Sequence, residues 1–92
     1  MIVSFRNRET EAIANGRRVR RFVAIERVVL RKLRQLQIVR RLDDLRVPPG
    51  NRLEALKGQR LGQYSIRVNN QYRVCFRWTP NGPADVEIVD YH

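Results

Sequence analysis

The sequence contains very few of the residues on which disulfide bonds and metal sites depend. Cys75 is its only cysteine and His92 its only histidine, so the chain cannot close a disulfide within itself and has no Cys/His set for zinc. No apolar run approaches the ~20 residues of a membrane span, and the first residues lack the pattern of a secretion signal. We therefore expect a cytoplasmic protein that uses no metal ion or cofactor and has no membrane partner.

Lysine is also scarce, although positive charge is abundant. The chain has 19 Lys and Arg residues against 9 Asp and Glu, a formal net charge of +10, and only Lys32 and Lys57 are lysines. The other cations are arginines, whose planar guanidinium groups bind phosphate oxygens in pairs and stack on bases. This composition predicts a nucleic-acid-binding protein; a basic surface that serves only solubility is the alternative. The length of 92 residues predicts a single domain over 1–92.

The first half of the chain has the residue spacing of helices. A short strand is predicted at 2–5, and one or two helical turns are predicted at 10–15. Apolar residues in steps of three and four predict an amphipathic helix over 22–36, followed by a short helix at 39–45. The opposite face of the long helix is expected to carry its basic residues, Arg27, Arg31, Lys32 and Arg34.

The second half has the alternation of strands. Strands are predicted at 63–68, at 72–78 and from about 84 onward, with turns at 69–71 and 79–83. The predicted fold is therefore an α+β domain, in which an N-terminal strand and helices pack on one face of a small, three-stranded antiparallel sheet.

Alternation along these strands places three arginines together. Arg67 on the first strand, and Arg73 and Arg77 on the second, have the parity opposite to that of their apolar neighbours. We expect the three guanidinium groups to point outward from the open face of the sheet, the face that the helices leave uncovered.

Such a face suits the cleavage of RNA without a metal ion. The reaction removes a 2′-hydroxyl proton, stabilises the charge that develops around phosphorus and protonates the leaving oxygen. Arginine suits the second demand and histidine the proton transfers, so His92 is the candidate catalyst, with Asp90, Lys57 or Tyr91 in the second proton-transfer role. Because Tyr91 and His92 have opposite strand parity, a twist or bulge at the end of the last strand is needed to bring both to one rim.

Four segments resemble a known family. They are 51–58 (NRLEALKG), 62–69 (GQYSIRVN), 71–76 (QYRVCF) and 89–92 (VDYH), and together they look like HigB-type toxins of the RelE superfamily. The resemblance implies a microbial-RNase-like fold and an mRNA interferase that cleaves messages on the translating ribosome. It also implies a helix-turn-helix antitoxin of the HigA type as partner, through which alone the toxin would meet operator DNA.

The resemblance further implies which residues form the active site. The family's catalytic roles would fall on Lys57, Arg67, Arg73, Asp90, Tyr91 and His92. We predict additional RNA contacts by Arg60, Asn69 and Arg77.

Two other functions explain the charge without catalysis. One is an RNA- or ribosome-binding module that inhibits translation by occupancy. The other is a partner-binding protein whose arginines meet an acidic subunit. Loss of RNA cleavage on changing His92 to Gln separates the nuclease from both.

Overall fold

The computed structural model describes residues 1–91, which form two α-helices followed by a four-stranded sheet. The helices are α1 (Arg8–Ala14) and α2 (Glu26–Ile38); the strands are β1 (Glu54–Ala55), β2 (Gln63–Arg67), β3 (Tyr72–Thr79) and β4 (Gly82–Asp90). Short 3-10 segments lie at Arg20–Ile25, Leu42–Arg46, Pro49–Asn51 and Gly58–Arg60. The strands follow the order β1-β2-β3-β4, with antiparallel neighbours throughout.

Local sequence explains where the helical segments begin. The Asn7 side chain accepts a hydrogen bond from the backbone N–H of Thr10 at 2.9 Å, so this cap starts α1 two residues before the predicted position. The predicted helix over 22–36 is divided, because Arg20–Ile25 is a 3-10 segment that buries Phe22 and Ile25, three residues apart. Neither α1 nor α2 has the length and apolar character needed to cross a membrane.

The core lies between the helices and one face of the sheet. Apolar residues at helical spacing from 22 to 36 are buried together with alternate residues of the three long strands. The fully buried members include Phe22, Val29 and Leu36 on the helical side and Ile66, Val74, Phe76 and Val86 on the sheet. The predicted α+β fold, with helices on one face of an antiparallel sheet, is thus confirmed.

The sheet differs from the prediction at both of its edges. It has four strands within residues 1–91, not three, because Glu54 and Ala55 pair with Ser65 and Tyr64; a strand of two residues has no periodicity to detect. The predicted strand at 2–5 is reduced to one parallel bridge between Phe5 and Val86.

Lys32 is the other departure from the sequence prediction. It was expected on the basic outer face of α2, yet it is only 6% exposed. Its ammonium group donates a hydrogen bond to the side-chain oxygen of Asn51 at 2.5 Å. Lys32 follows Val29 by three residues and Ile25 by seven, which puts it on the buried stripe of the helix. Its spacing therefore decides its position, and its charge does not.

Candidate functional site

Strand register gathers several predicted residues at one end of the sheet. Arg67, the last residue of β2, is the direct cross-strand partner of Arg73 on β3. Tyr72 pairs with Asp90, the last residue of β4, and the backbone N–H of Tyr91 donates to the carbonyl oxygen of Gln71 at 2.6 Å. The antiparallel hairpins therefore bring the ends of β2 and β4 to the two sides of the start of β3.

The three predicted arginines share the open face, as expected. The pairs Gln63–Arg77 and Arg67–Arg73 both belong to the regular register of β2 and β3, so these side chains project to one side. The expectation that all three point into solvent is wrong for Arg73, which is only 8% exposed. The segment that leads into β1 contacts its guanidinium through the Arg52 carbonyl, and the sequence has no periodic signal for this segment.

Two neutral oxygens hold the Arg73 guanidinium. Its Nε donates to the hydroxyl of Ser65 at 2.7 Å and its Nη2 to the carbonyl oxygen of Arg52 at 2.6 Å. The carboxylate of Glu54 is more distant, at 3.9 Å from Nη2. Among residues 1–91 only this one carboxylate forms an ion pair with the buried Arg73, and the two neutral contacts fix the orientation of the guanidinium group.

Arg67 is in a similar electrostatic position. Its Nη2 donates to the side-chain oxygen of Asn70, and it forms no ion pair with any carboxylate of residues 1–91. Like charges directly opposite each other on neighbouring strands destabilise a sheet. Arg67 and Arg73, which we call the basic pair, therefore place like charges on directly opposite positions of two strands, an arrangement that a bound anion would stabilise.

The middle of the open face is occupied by an ion-pair cluster. Arg60 donates to Gln63 at 3.0 Å and to Glu87 at 3.2 Å, and Arg6 lies 3.7 Å from the same carboxylate. Cys75 lies buried in this region. Burial, as the largest cause, and the nearby charge of Glu87 raise the pKa of the Cys75 thiol to about 11, against the lowering effects of Arg60 and Arg73. The thiol is thus protonated at neutral pH and a poor nucleophile.

The other predicted site residues are more dispersed. Lys57 is exposed and follows Leu56, whose N–H bonds to Gln63; that end of β2 is four residues, or about 13 Å, from Arg67. The side-chain oxygen of Asn69 accepts from the backbone N–H groups of Gln71 and Tyr72, at 2.8 and 2.7 Å, and so forms the hairpin turn.

Two further predicted site residues, Arg77 and Asp90, have opposite strand parity. Arg77 is exposed, 3.9 Å from Asp85. Asp90 has the strand parity of Tyr72, opposite to that of Arg73, and accepts a hydrogen bond from Gln71 at 3.1 Å.

The end of β4 is regular as far as it is described. The register shift of the β3–β4 pair lies between Cys75 and Arg77, and the left-handed Asp85 (φ 52°) accompanies it. Pairing then continues without interruption through Asp90, and Tyr91 is 39% exposed. The predicted catalyst His92 lies outside the described residues, as does any bulge that would involve it.

Sequence reasoning missed the groups that hold Arg73. Ser65 has the right strand parity to meet Arg73, and this spacing was the one available signal. The Arg52 carbonyl gives no signal, because a main-chain oxygen is common to every residue type and its direction depends on the loop. No group of three or more His, Cys, Asp or Glu residues within 1–91 is arranged to hold a metal ion.

The fold and the site define a small, basic α+β protein with two paired arginines at one end of its sheet. Comparison with known proteins then gives the family: residues 13–92 match the model of the RelE-like toxin of the type II toxin–antitoxin system HigB. The chain therefore belongs to the HigB-like toxin family, which confirms the predicted resemblance. A toxin of this type has an antitoxin as its partner.

Two relatives illustrate the similarity. The chain is 46% identical over 69 residues to Toxin HigB-1 of Vibrio cholerae, a match that covers 75% of this chain and 72% of that protein. It is 42% identical over 55 residues to an uncharacterized protein of Haemophilus influenzae, a match that covers 60% of this chain and 54% of the relative.

Proposed function

We propose that this toxin is a cytoplasmic endoribonuclease that cleaves mRNA on the translating ribosome and thereby inhibits translation. The attacking group would be the 2′-hydroxyl next to the scissile phosphate, and no metal ion would take part. The observation that carries the proposal is the basic pair: Arg67 and Arg73 are cross-strand partners, and among residues 1–91 the only ion pair that either forms is the one between Arg73 and Glu54, at 3.9 Å.

A phosphodiester in cleavage matches this arrangement. Negative charge on the non-bridging oxygens increases on the way to the pentacoordinate state, and fixed cations stabilise that change more than they stabilise the substrate. The two hydrogen bonds that Arg73 makes within residues 1–91 use Nε and Nη2, which leaves the two N–H groups of Nη1 for an oxygen of the phosphate. Removing one such donor typically lowers a rate by about 10²–10³-fold.

Proton transfer is assigned to His92, with Tyr91, Asp90 and Lys57 as candidates for the second role. The exposed ring of Tyr91 also offers a surface on which a splayed base can stack. Arg60, Asn69 and Arg77 are proposed as further RNA contacts, although Glu87 partly neutralises Arg60. The proposed acting unit is one domain, 1–92, and its proposed antitoxin is a helix-turn-helix protein of the HigA type.

The test is to map new 5′ ends on cellular mRNA after induction of the chain and of its His92→Gln variant. We expect cuts within translated frames for the parent chain, and a loss of at least about 100-fold in cleavage for the variant, since general acid–base catalysis contributes 10²–10⁴-fold. Ribosome binding, measured by co-sedimentation, should survive the change.

Two results would contradict the proposal. Undiminished cleavage by His92→Gln would remove His92 from the mechanism. Growth inhibition and ribosome binding without new 5′ ends in either protein would favour inhibition by occupancy, the non-catalytic alternative.

A further inference from the structure

A buried polar cluster adjoins the chain segment that holds Arg73 and belongs to no part of the site described so far. Its centre is Asn51, which has no exposed surface. The Asn51 oxygen accepts from Lys32 on α2, and its amide nitrogen donates to Gln35 at 2.9 Å and to the Leu45 carbonyl at 3.0 Å. Asn51 thus joins the middle of α2 to the 3-10 segment at Leu42–Arg46.

The same residue fixes the chain just before β1. Its backbone N–H donates to the Pro48 carbonyl at 2.9 Å, and the N–H of Arg52 donates to the Pro49 carbonyl at 3.1 Å. Arg52 has a left-handed backbone, with φ 45° and ψ 56°. A residue other than glycine keeps this conformation only where its surroundings impose it, and the buried side chain of Asn51 is the anchor next to it.

The carbonyl of Arg52 is one of the two oxygens that hold Arg73, at 2.6 Å from Nη2. Only one peptide unit therefore separates the buried amide of Asn51 from the group that orients this guanidinium. Lys32, Asn51, the Arg52 carbonyl and Arg73 form a continuous chain of contacts from the helix to the open face.

We propose that Asn51 is a positioning residue for the reaction: its buried side chain sets the direction of the Arg52 carbonyl and, through it, the orientation of the Arg73 guanidinium at the scissile phosphate. The catalytic part of this inference rests on the proposed nuclease function. The structural part, the coupling of Asn51 to Arg73, holds whether or not the chain cleaves RNA.

The test compares Asn51→Ala with a matched control, Thr10→Val. Thr10 is also fully buried, and its hydroxyl accepts from the backbone N–H of Ile88 at 3.0 Å, so the control removes a buried polar contact that has no link to Arg52. Single-turnover cleavage of ribosome-bound mRNA is measured at a temperature at which both variants are folded. We expect the cleavage rate of Asn51→Ala to fall about tenfold to 100-fold, because a shift of ~1 Å in a catalytic group has an effect of this size. The half-saturating concentration should change little. Thr10→Val should keep the parent rate.

The second measurement needs no catalysis. The Nε–H of Arg73 donates to the buried Ser65 and should give a slowly exchanging ¹⁵N–¹H resonance, identified by its absence in Arg73→Lys. In Asn51→Ala this protection should fall, and in Thr10→Val it should persist. Asn51→Asp serves if the alanine variant does not fold, since its carboxylate keeps an acceptor for Lys32 but cannot donate to Gln35 or to the Leu45 carbonyl. It should show both effects.

The outcomes separate the two ideas. If the parent chain cleaves and the Asn51 variants cleave as fast as Thr10→Val, or if Arg73 stays equally protected in all variants, the positioning role is wrong. If the parent chain does not cleave, the proposed function fails, while the exchange measurement still decides whether Asn51 orients Arg73.

Discussion

Three exposed arginines of α2 and the buried Arg73 show what burial does to the same side chain. Arg27, Arg31 and Arg34 lie exposed along α2 and form no ion pair within residues 1–91; they border an open groove of about 590 Å³. Arg73 is buried and held at two of its nitrogens.

The exposed group keeps its rotamer freedom and its hydration. It supplies a diffuse, salt-sensitive attraction for polyanions. Arg73 has lost its rotamer freedom and most of its hydration. Its guanidinium can therefore donate to a phosphate oxygen in one fixed direction, without reorganising when negative charge develops on that oxygen. Under the proposed function, the difference assigns two roles: the net charge of +10 would attract RNA, and the fixed geometry of Arg73 would act on its phosphate.

The strongest test of this comparison changes Arg73 to Lys. Lysine keeps the charge, but its single ammonium cannot reproduce the fork that reaches Ser65 and Arg52 together. We expect cleavage of ribosome-bound mRNA to fall at least about 100-fold, with ribosome affinity nearly unchanged.

The matched control is Arg27→Lys, the same replacement on the exposed side of α2. It should cleave at the parent rate, since solvent offers an ammonium group the same hydration as a guanidinium. Equal activity of Arg73→Lys and the parent chain would show that charge suffices, and the distinction between the two groups would be lost.

A weaker effect is expected from removing charge on α2. The double variant Arg27→Gln/Arg31→Gln should bind RNA less tightly at low salt, and its plot of log affinity against log salt should be less steep by about 0.7 for each lost contact with a single strand. The cleavage rate at saturation should stay the same. A fall in that rate as large as for Arg73→Lys would place α2 in the catalytic machinery.

The sequence predicts much of this architecture because strand alternation is a local property. The parity of Arg67, Arg73 and Arg77 is sufficient to place them on one face, and the register confirms it. The burial of Arg73 is not local: it depends on the two-residue strand β1 and on a loop carbonyl, neither of which has a periodic signal. The placement of Arg67, Arg73 and Tyr91 at one end of the sheet likewise follows from hairpin lengths that fix the register.

Lys32 shows a different kind of error. Its spacing from Ile25 and Val29 predicts burial, whereas its charge led to its assignment to the exposed basic face. The partner that makes its burial tolerable, Asn51, is 19 residues away in the chain, in a loop whose path the sequence does not specify. Spacing within a helix is therefore a better guide to burial than side-chain charge, although only the tertiary structure reveals the compensating contact.

The smallest expected effect distinguishes the two buried cations, because Lys32 can lose its proton and Arg73 cannot. Burial, as the larger cause, and the charge of Arg31 lower the pKa of Lys32 from 10.5. Between the lowered pKa and 10.5 the unfolded chain binds more protons than the folded one, so the free energy of unfolding should rise with pH in that window. Cys75 has the opposite effect, because its raised pKa lets the folded chain keep the thiol proton from pH 9.0 to about 11.

Urea unfolding of the parent and of Lys32→Met at several pH values, up to 10.5, separates the effect of Lys32 from that of Cys75, since the Cys75 contribution is common to both proteins. The free energy of unfolding of the parent, relative to that of Lys32→Met, should increase with pH. A constant or falling difference would mean that the Lys32 ammonium keeps its hydration, as the exposed arginines of the same helix do, despite its burial.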